Sequence, residues 1–151
     1  MGLMNDLGPG PVAIDSVVFI YWIEEAPEAL PLLRPIFEAI DAGAIAAVTS
    51  AITLLEVLVV PYRAGNAALT DRYETLLRRS RGLSLVDLTL AHLRTAARLR
   101  ADLELRTPDA LQVAAGLSKG CSSFLTNDRR IPSTIRGMKV LKVRDYLPAA
   151  N

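Results

Sequence analysis

Short apolar segments alternate with helical segments along nearly the whole chain, and this alternation is the strongest constraint on its fold. The predicted strands cover residues 12–14, 44–48, 83–86 and 122–126, with a further edge strand at 140–143. Helical spacing of apolar residues predicts helices over 17–24, 28–42, 51–60, 66–79, 89–103 and 107–119. Strands that alternate with helices form a parallel sheet with helices on both faces. The sequence therefore predicts an α/β fold, a three-layer α/β/α sandwich with a central parallel sheet.

The length and composition indicate one domain with apolar surface left over. A chain of 151 residues buries roughly 68–70% of the surface that its unfolded form exposes, so residues 1–151 are expected to form a single domain. Hydrophobic residues make up 51% of the sequence, which is high for this size and predicts contact with a protein partner or a second copy. Residues 1–10 are expected to be a flexible leader.

The sequence carries no signal for export or for a membrane. Cys121 is the single cysteine, which excludes an internal disulfide and a cysteine-based zinc site and fits a reducing cytoplasm. The N-terminus has no cationic segment of the kind that begins a secretion signal. The most apolar stretch, residues 44–60, contains Glu56 and ends before Pro61, so it is too short and too polar for a membrane span. We expect a cytoplasmic protein.

Four acidic residues stand in apolar or turn-forming segments where a solvated carboxylate is not expected: Asp15, Glu56, Asp109 and Asp128. Asp15 follows the first strand, and Glu56 lies on the helix after the second strand. Asp109 lies in the first turn of the last helix, and Asp128 follows the strand after that helix. Three of them have structural alternatives when taken singly, because Asp15 fits a helix cap, Asp109 suits the helix dipole and Asp128 fits a turn. Their joint pattern carries more weight than any one of them.

Glu56 is the hardest of the four to explain as a structural residue. Its helical face is otherwise apolar, with Ile52, Val59 and Val60 three or four residues away. If the first and late strands are neighbours in the sheet, all four carboxylates meet in one cleft at the ends of the strands. Converging carboxylates repel unless a cation neutralises them, and oxygen ligands without His or Cys suit Mg²⁺ or Mn²⁺. The pattern predicts such a metal site and hydrolysis of a phosphodiester bond by an activated water.

Further polar residues flank the predicted site. Ser16, Thr126 and Asn127 are expected to orient carboxylates, metal-bound waters or the scissile phosphate, with the alternative that Ser16 and Thr126 only satisfy backbone groups. Arg129 and Arg130 begin a basic segment that suits nucleic-acid phosphate, with a solvated rim as the alternative. The chain has one His and no Gly-rich phosphate loop, so neither a His-based catalytic pair nor a nucleotide cofactor is predicted.

Four motifs surround the four acids. They are Ala-Ile-Asp15-Ser-Val-Val, Ser50-x-x-Thr-Leu-Leu-Glu56-Val, Leu105-Arg-Thr-Pro-Asp109-Ala-Leu-Gln-Val-Ala-Ala and Phe124-Leu-Thr-Asn-Asp128. In order and spacing they resemble the motifs of the PIN-domain nucleases, most closely those of the VapC-type toxins of bacterial toxin–antitoxin pairs. The likeness covers residues 12–147. One departure is Gln112, where relatives often carry His, and it is expected to matter little to metal binding.

The resemblance implies a parallel sheet with strand order 3-2-1-4-5 and a Mg²⁺- or Mn²⁺-dependent endoribonuclease. It implies that the acidic quartet is formed by Asp15, Glu56, Asp109 and Asp128. It also implies a cognate antitoxin, similar to VapB, that covers the cleft, and a toxin homodimer. Both partners agree with the apolar excess of the sequence.

The favoured function is a ribonuclease toxin that cuts RNA, with tRNA or rRNA as the expected target. Two alternatives stay open: a non-toxic PIN-type nuclease of RNA processing or decay, and a non-catalytic PIN-fold binding module whose acids are structural caps. A phosphatase or phospho-receiver ranks last. A haloacid-dehalogenase-like motif needs a second acid two residues after the first, and the chain has Val17 at that position.

Overall fold

The computed structural model describes residues 2–148, which form one sheet between two layers of helices. The strands are β1 (Val12–Ile14), β2 (Ala47–Ser50), β3 (Leu83–Val86), β4 (Ser123–Thr126), β5 (Thr134–Ile135) and β6 (Met138–Lys142). The helices are α1 (Leu3–Leu7), α2 (Ser16–Ile23), α3 (Leu30–Asp41), α4 (Ile52–Arg63), α5 (Ala67–Arg79), α6 (Leu90–Leu103) and α7 (Thr107–Ser118). A 3-10 helix, Val143–Tyr146, follows β6. The predicted α/β sandwich is confirmed.

The sheet has the strand order β3-β2-β1-β4-β6-β5. Its first five strands are parallel and match the implied order 3-2-1-4-5, with β6 in the fifth place. The sixth strand, β5, pairs antiparallel with β6 through a two-residue turn at Arg136 and Gly137, both with positive φ. Positive φ at both positions is the geometry of the turn that best matches the twist of a hairpin. A strand of only two residues leaves too short a pattern to be predicted from sequence.

The two faces of the sheet carry separate apolar cores. In β1, Val12 and Ile14 belong to the core formed with α1 to α5, whereas Ala13 belongs to the core formed with α6 and α7. On that second face α7 lies so close to β1 that a Cβ added at Gly116 would be 2.8 Å from the Cβ of Ala13. The glycine makes this close packing possible. This close approach brings the first turn of α7 to the sheet edge at which β1 ends.

The N-terminal segment differs from the flexible leader that was expected for residues 1–10. Residues 3–7 form α1, and the side chains of Leu3 and Leu7 are buried in the first core. Lys139 Nζ donates a 2.7 Å hydrogen bond to the carbonyl oxygen of Asp6, and Ser123 Oγ donates to that of Leu7 at 3.1 Å. The expectation was wrong because two leucines four residues apart give even a short helix an apolar side to bury. Met1 lies outside the described residues.

The second strand is shifted from the predicted range of 44–48. It covers Ala47–Ser50, because the amides of Ala44 and Ile45 both donate to the carbonyl oxygen of Ala39 in the turn that ends α3. The shift places Ser50 at the end of the strand, where its Oγ accepts a 3.2 Å hydrogen bond from the amide of Ile52, the first residue of α4.

Helix α4 continues through Pro61 to Arg63, beyond the predicted end at residue 60. A proline in the last turn removes only its own N–H donor, and the helix ends two residues later with the amide of Ala64 bonded to the carbonyl of Val60. Among residues 2–148, no helix is both long enough and apolar enough to cross a membrane.

Candidate active site

The four predicted acids line one cleft at the carboxyl edge of the sheet, with a volume of about 430 Å³. Asp15 follows β1 directly, and Asp128 lies just beyond β4, the neighbour of β1 in the sheet. Glu56 lies on α4, the helix after β2, and Asp109 lies in the first turn of α7. The chain leaves β1 toward β2 and returns on the other side at β4, which is the switch point where parallel sheets place ligands.

Asp15 is buried, with 7% of its surface exposed, and both of its carboxylate oxygens accept hydrogen bonds. Thr126 Oγ1 donates to Oδ2 at 2.7 Å, and the backbone amide of Ser16 donates to Oδ1 at 2.8 Å. Ser16 Oγ lies 3.4 Å from the same Oδ1. Burial raises the pKa of Asp15 above its ordinary value, and the nearby charge of Asp109 raises it further. Ser16 and Thr126 thus contact the carboxylate that they were predicted to orient.

Glu56 carries the site's unsatisfied group. Its Oε1 is buried and has no hydrogen-bond partner among residues 2–148. Burial is the main cause that raises its pKa, and repulsion from Asp15 and Asp109 adds to it. Leaving a buried carboxylate oxygen unpaired is unfavourable, so this atom points to a missing ligand. The apolar helical face around Glu56 is only partly buried, because Val60 on the same helix is 66% exposed.

Asp109 is buried and receives one hydrogen bond from its own helix cap. Arg106 Nε donates to its Oδ2 at 3.1 Å, since the N-cap residue and Asp109 are three positions apart. Burial raises the pKa of Asp109 above its ordinary value, and the Arg106 guanidinium opposes that rise. Asp109 is therefore an acid whose charge is only partly compensated by the protein.

Asp128 differs from the other three acids because two arginines already satisfy it. Arg130 donates to it through Nε, one terminal nitrogen and its backbone amide, at 2.9–3.0 Å. A terminal nitrogen of Arg106 lies 3.1 Å from its Oδ2 and so bridges Asp128 to Asp109. The hydrogen bond from Arg130 is the main cause that lowers the pKa of Asp128 to about 2.

Metal binding at this cleft agrees with its donor atoms but not with their present spacing. Among residues 2–148, no three acidic, His or Cys side chains lie close enough together to hold one metal ion. The oxygen donors themselves suit a hard divalent cation, and the unpaired Oε1 of Glu56 and the repulsion among Asp15, Glu56 and Asp109 are what such a cation would relieve. Direct ligation by Asp128 would also require Arg106 and Arg130 to release it.

The stability of the protein without bound metal is expected to fall as the pH rises from about 4.5 to 7. Asp15, Glu56 and Asp109 have raised pKa values, so above the ordinary values of 3.8 for Asp and 4.5 for Glu the folded state keeps protons that the unfolded state has released. Asp128 has the opposite sign, but its lowered pKa acts below its ordinary value of 3.8, outside this range. Urea unfolding in a chelator across this range measures the slope.

The Glu56→Gln variant should show a shallower slope, because one of the titrating groups is removed. A free energy of unfolding that stays level or increases from pH 4.5 to 7 in the unsubstituted protein would contradict the electrostatic description of the cleft.

The remaining predicted residues lie on the same cleft but have different contacts. Within residues 2–148, the side chain of Asn127 forms no hydrogen bond with a carboxylate and instead bonds to Tyr21 and Arg144. Arg130 pairs with Asp128, and Arg129 is exposed at the rim. Of the cleft residues that the sequence did not single out, Arg106 could have been found from its spacing of three before Asp109 in a helix start.

Gln112 has a structural role that the sequence did not reveal. It is buried on α7, its Oε1 accepts from the amide of Ser50 at 3.1 Å, and its Nε2 donates to Thr53 Oγ1 at 2.6 Å. These bonds join α7, which carries Asp109, to the start of α4. Gln112 therefore fixes two walls of the cleft relative to each other.

Replacing Gln112 with Met is expected to lower the free energy of unfolding by about 1–3 kcal/mol, because a buried amide and a buried hydroxyl each lose a partner at nearly constant volume. Chemical denaturation measures the difference. Leu117→Met on the same helix keeps the volume and changes no hydrogen bond, so it is the control. Equal stability of the two variants would show that the bonds of Gln112 contribute nothing net.

The fold and the cleft together define an α/β protein with an acidic site at the switch point of a parallel sheet, a class suited to metal-assisted phosphate chemistry. The model of the PIN domain family matches residues 12–136, and the chain belongs to this family of nucleases. The family resemblance of the four motifs is thereby confirmed. No functionally curated protein matches the chain.

Solved structures with the same fold include three complexes. A toxin–antitoxin complex from Klebsiella pneumoniae has 19% identity and a TM-score of 0.58, with 87% of this chain and 96% of that chain covered. DNA-bound VapBC from Salmonella typhimurium has 20% identity and a TM-score of 0.62, covering 87% and 97%. VapBC2 from Rickettsia felis bound to a DNA fragment from their promoter has 16% identity and a TM-score of 0.57, also covering 87% and 97%. At these identities the likeness establishes the fold.

Proposed function

We propose that this protein is a Mg²⁺- or Mn²⁺-dependent endoribonuclease that acts as the toxin of a toxin–antitoxin pair. The observation that carries the proposal is the unpaired, buried Oε1 of Glu56 in a cleft shared with Asp15, Asp109 and Asp128. An unpaired carboxylate oxygen among other carboxylates calls for a cation, and oxygen donors without His or Cys favour Mg²⁺ or Mn²⁺. When bound, this cation would supply the activation of an attacking water and the neutralisation of charge at the leaving oxygen.

The protein's own residues hold the site for that chemistry. Thr126 and Ser16 fix the carboxylate of Asp15, so its oxygens are oriented before a cation arrives. Glu56 on α4 and Asp109 on α7 add two further carboxylates to the same cleft. Arg106 and Arg130 place guanidinium groups at the rim, where they can meet a phosphate as well as Asp128. No side chain has to act as a covalent nucleophile.

The toxin assignment rests on the family and on surface chemistry. The solved complexes with this fold pair a toxin with an antitoxin, and by analogy this chain would take a VapB-like antitoxin. Large apolar side chains stand exposed on α4 and α6, including Leu55 at 63%, Val60 at 66% and Leu90 at 69%. Such side chains suit the antitoxin and a second copy of the chain, which would form a homodimer in the cytoplasm.

RNA cleavage tests the enzymatic part of the proposal. The purified protein with Mn²⁺ is expected to cut a pool of cellular RNA, with tRNA or rRNA as the proposed target, and a chelator should stop it. Intact RNA after long incubation with Mn²⁺ would overturn the assignment and favour a non-catalytic binding module.

Growth separates a toxin from a nuclease of RNA processing. Induced expression in bacteria should arrest growth, and co-expression of the small protein encoded beside it should restore growth. Cleavage of RNA in vitro without growth arrest would favour a processing or decay enzyme.

A further inference from the structure

We propose that Arg144 and Tyr21 form a subsite for a backbone phosphate of RNA on the wall of the cleft beside the carboxylates. This inference rests on the proposed function, because its ligand is part of the proposed substrate. Both side chains line the same cleft as the four acids, and both are held by the side chain of Asn127. The subsite would bind the nucleotide next to the scissile phosphate.

The guanidinium of Arg144 is fixed in place before any ligand binds. Its Nε donates to Asn127 Oδ1 at 3.2 Å, and a terminal nitrogen donates to the Asn127 carbonyl oxygen at 2.7 Å. The backbone amide of Arg144 donates to the same Oδ1 at 2.9 Å. An arginine has five N–H donors, so several remain free to bind an anion with little further loss of side-chain freedom.

The charge of Arg144 is not compensated by the protein, which sets it apart from other arginines of the cleft. Arg106 and Arg130 each form an ion pair with Asp128. Arg129 is exposed and is not held by Asn127. Within residues 2–148, no carboxylate lies within 4.0 Å of the Arg144 guanidinium. An immobilised guanidinium without a counter-ion is suited to a phosphate, which accepts several hydrogen bonds at once.

Tyr21 adds a second donor to the same wall. Its hydroxyl accepts a 2.9 Å hydrogen bond from Asn127 Nδ2, and the hydroxyl proton has no acceptor in the part of the chain that the structure describes. Asn127 therefore orients both donors, one through its oxygen and one through its nitrogen. A phosphate between them would receive hydrogen bonds from an O–H and from a guanidinium.

The position of Asn127 places this subsite next to the reaction centre. Its chain neighbours are Thr126, which donates to Asp15, and Asp128. Four carboxylates repel a polyanion, so RNA that enters the cleft needs positive charge on an adjacent wall. Arg144 supplies that charge without taking it from an acid of the site.

Binding of a fluorescein-labelled, single-stranded RNA of mixed sequence tests the subsite. Anisotropy is measured in Ca²⁺ at several salt concentrations, and a gel checks that the RNA stays intact. Arg144→Gln is expected to raise Kd about tenfold. It should also make the slope of log Kd against log salt shallower by about 0.7, the loss of one phosphate contact to a single strand. Arg98→Gln, on the exposed side of α6 and outside the cleft, should leave both values unchanged.

Asn127→Asp gives a second test that does not remove either donor. The new carboxylate still accepts from the backbone and side chain of Arg144, but it neutralises that charge and offers an acceptor to the Tyr21 proton. It should weaken RNA binding as much as Arg144→Gln does, with a thermal midpoint that shows a folded protein. If Arg144→Gln fails to fold, unchanged RNA binding by Asn127→Asp still overturns the subsite.

RNA binding as tight in the folded variants as in the unsubstituted protein would overturn the subsite. If the protein also cleaves RNA with Mn²⁺, only the subsite fails and the proposed function stands. If Arg144 and Asn127 are needed for binding but no RNA is ever cleaved, the subsite stands and the nuclease assignment fails.

Discussion

Replacing Asp15 with Asn is expected to lower the rate of RNA cleavage in Mn²⁺ by at least about 100-fold, the size of effect that loss of one central acidic group produces. Asp15 is buried and held by Thr126 and Ser16, so no other carboxylate can take its place. Asn has the same shape and can still accept from the amide of Ser16, so the helix start and the fold should survive. Initial rates on a labelled RNA measure the loss.

The matched control for this variant is Asp87→Asn. Asp87 also follows a strand directly, but it is exposed and lies outside the cleft. Its rate should stay within about twofold of that of the unsubstituted protein, as for surface substitutions in general. Equal rates for the two variants would remove Asp15 from the site and with it the assignment of the quartet.

Replacing Glu56 with Gln is expected to move two properties in opposite directions. Without metal, the free energy of unfolding should rise by about 1 kcal/mol at pH 7, because a half-buried carboxylate with one unpaired oxygen, partly screened by solvent, becomes neutral beside two other acids. Affinity for Mn²⁺ should fall by at least about tenfold, because a charged ligand is lost. Thermal unfolding in a chelator and calorimetric titration with Mn²⁺ measure the two effects.

A rise in the free energy of unfolding together with a fall in Mn²⁺ affinity distinguishes a functional acid from a structural one. A residue held for stability would lower the free energy of unfolding when replaced, whereas a residue held for binding often raises it. Glu38→Gln on the exposed side of α3 is the control and should change neither property. Loss of stability in Glu56→Gln with unchanged Mn²⁺ binding would support the reading in which the acids are structural caps.

Much of the fold could be predicted because the strands and helices follow from residue patterns within short segments of the sequence. The alternation of short strands with helices gives the layers, and the ends of β1 and β4 determine where Asp15 and Asp128 emerge. The predicted helices over 89–103 and 107–119 agree within one residue with α6 and α7. The strand order itself came from the family resemblance, since pairing between distant segments leaves no local pattern.

The contacts inside the cleft could not be predicted in the same way. At the end of β4, the side chains of Thr126, Asn127 and Asp128 bond to three different partners, and the sequence gives their order but not their directions. Asn127 was expected to orient a carboxylate, a metal-bound water or the scissile phosphate, and its side chain forms hydrogen bonds with Tyr21 and Arg144. These contacts join residues more than 15 positions apart, so only the folded chain reveals them.

The contacts of Asp128 also could not be predicted from the sequence. Its place after β4 was evident, but its satisfaction by Arg106 and Arg130 was not, because the Arg106 side chain reaches it across 22 residues. The consequence is functional: Asp128 is fully ionised at neutral pH, with its pKa lowered to about 2, whereas its three companions are pushed toward protonation. Among residues 2–148, Asp15 and Glu56 therefore have no ion-pair partner, Asp109 shares Arg106 with Asp128, and Asp128 also pairs with Arg130.

Anomalous scattering from crystals soaked in Mn²⁺ locates the cation without relying on activity. We expect an anomalous peak in the cleft, in contact with Asp15 and Glu56, that disappears in crystals of Glu56→Gln. A peak elsewhere on the surface, or an empty cleft in a protein that binds Mn²⁺ in solution, would contradict this expectation.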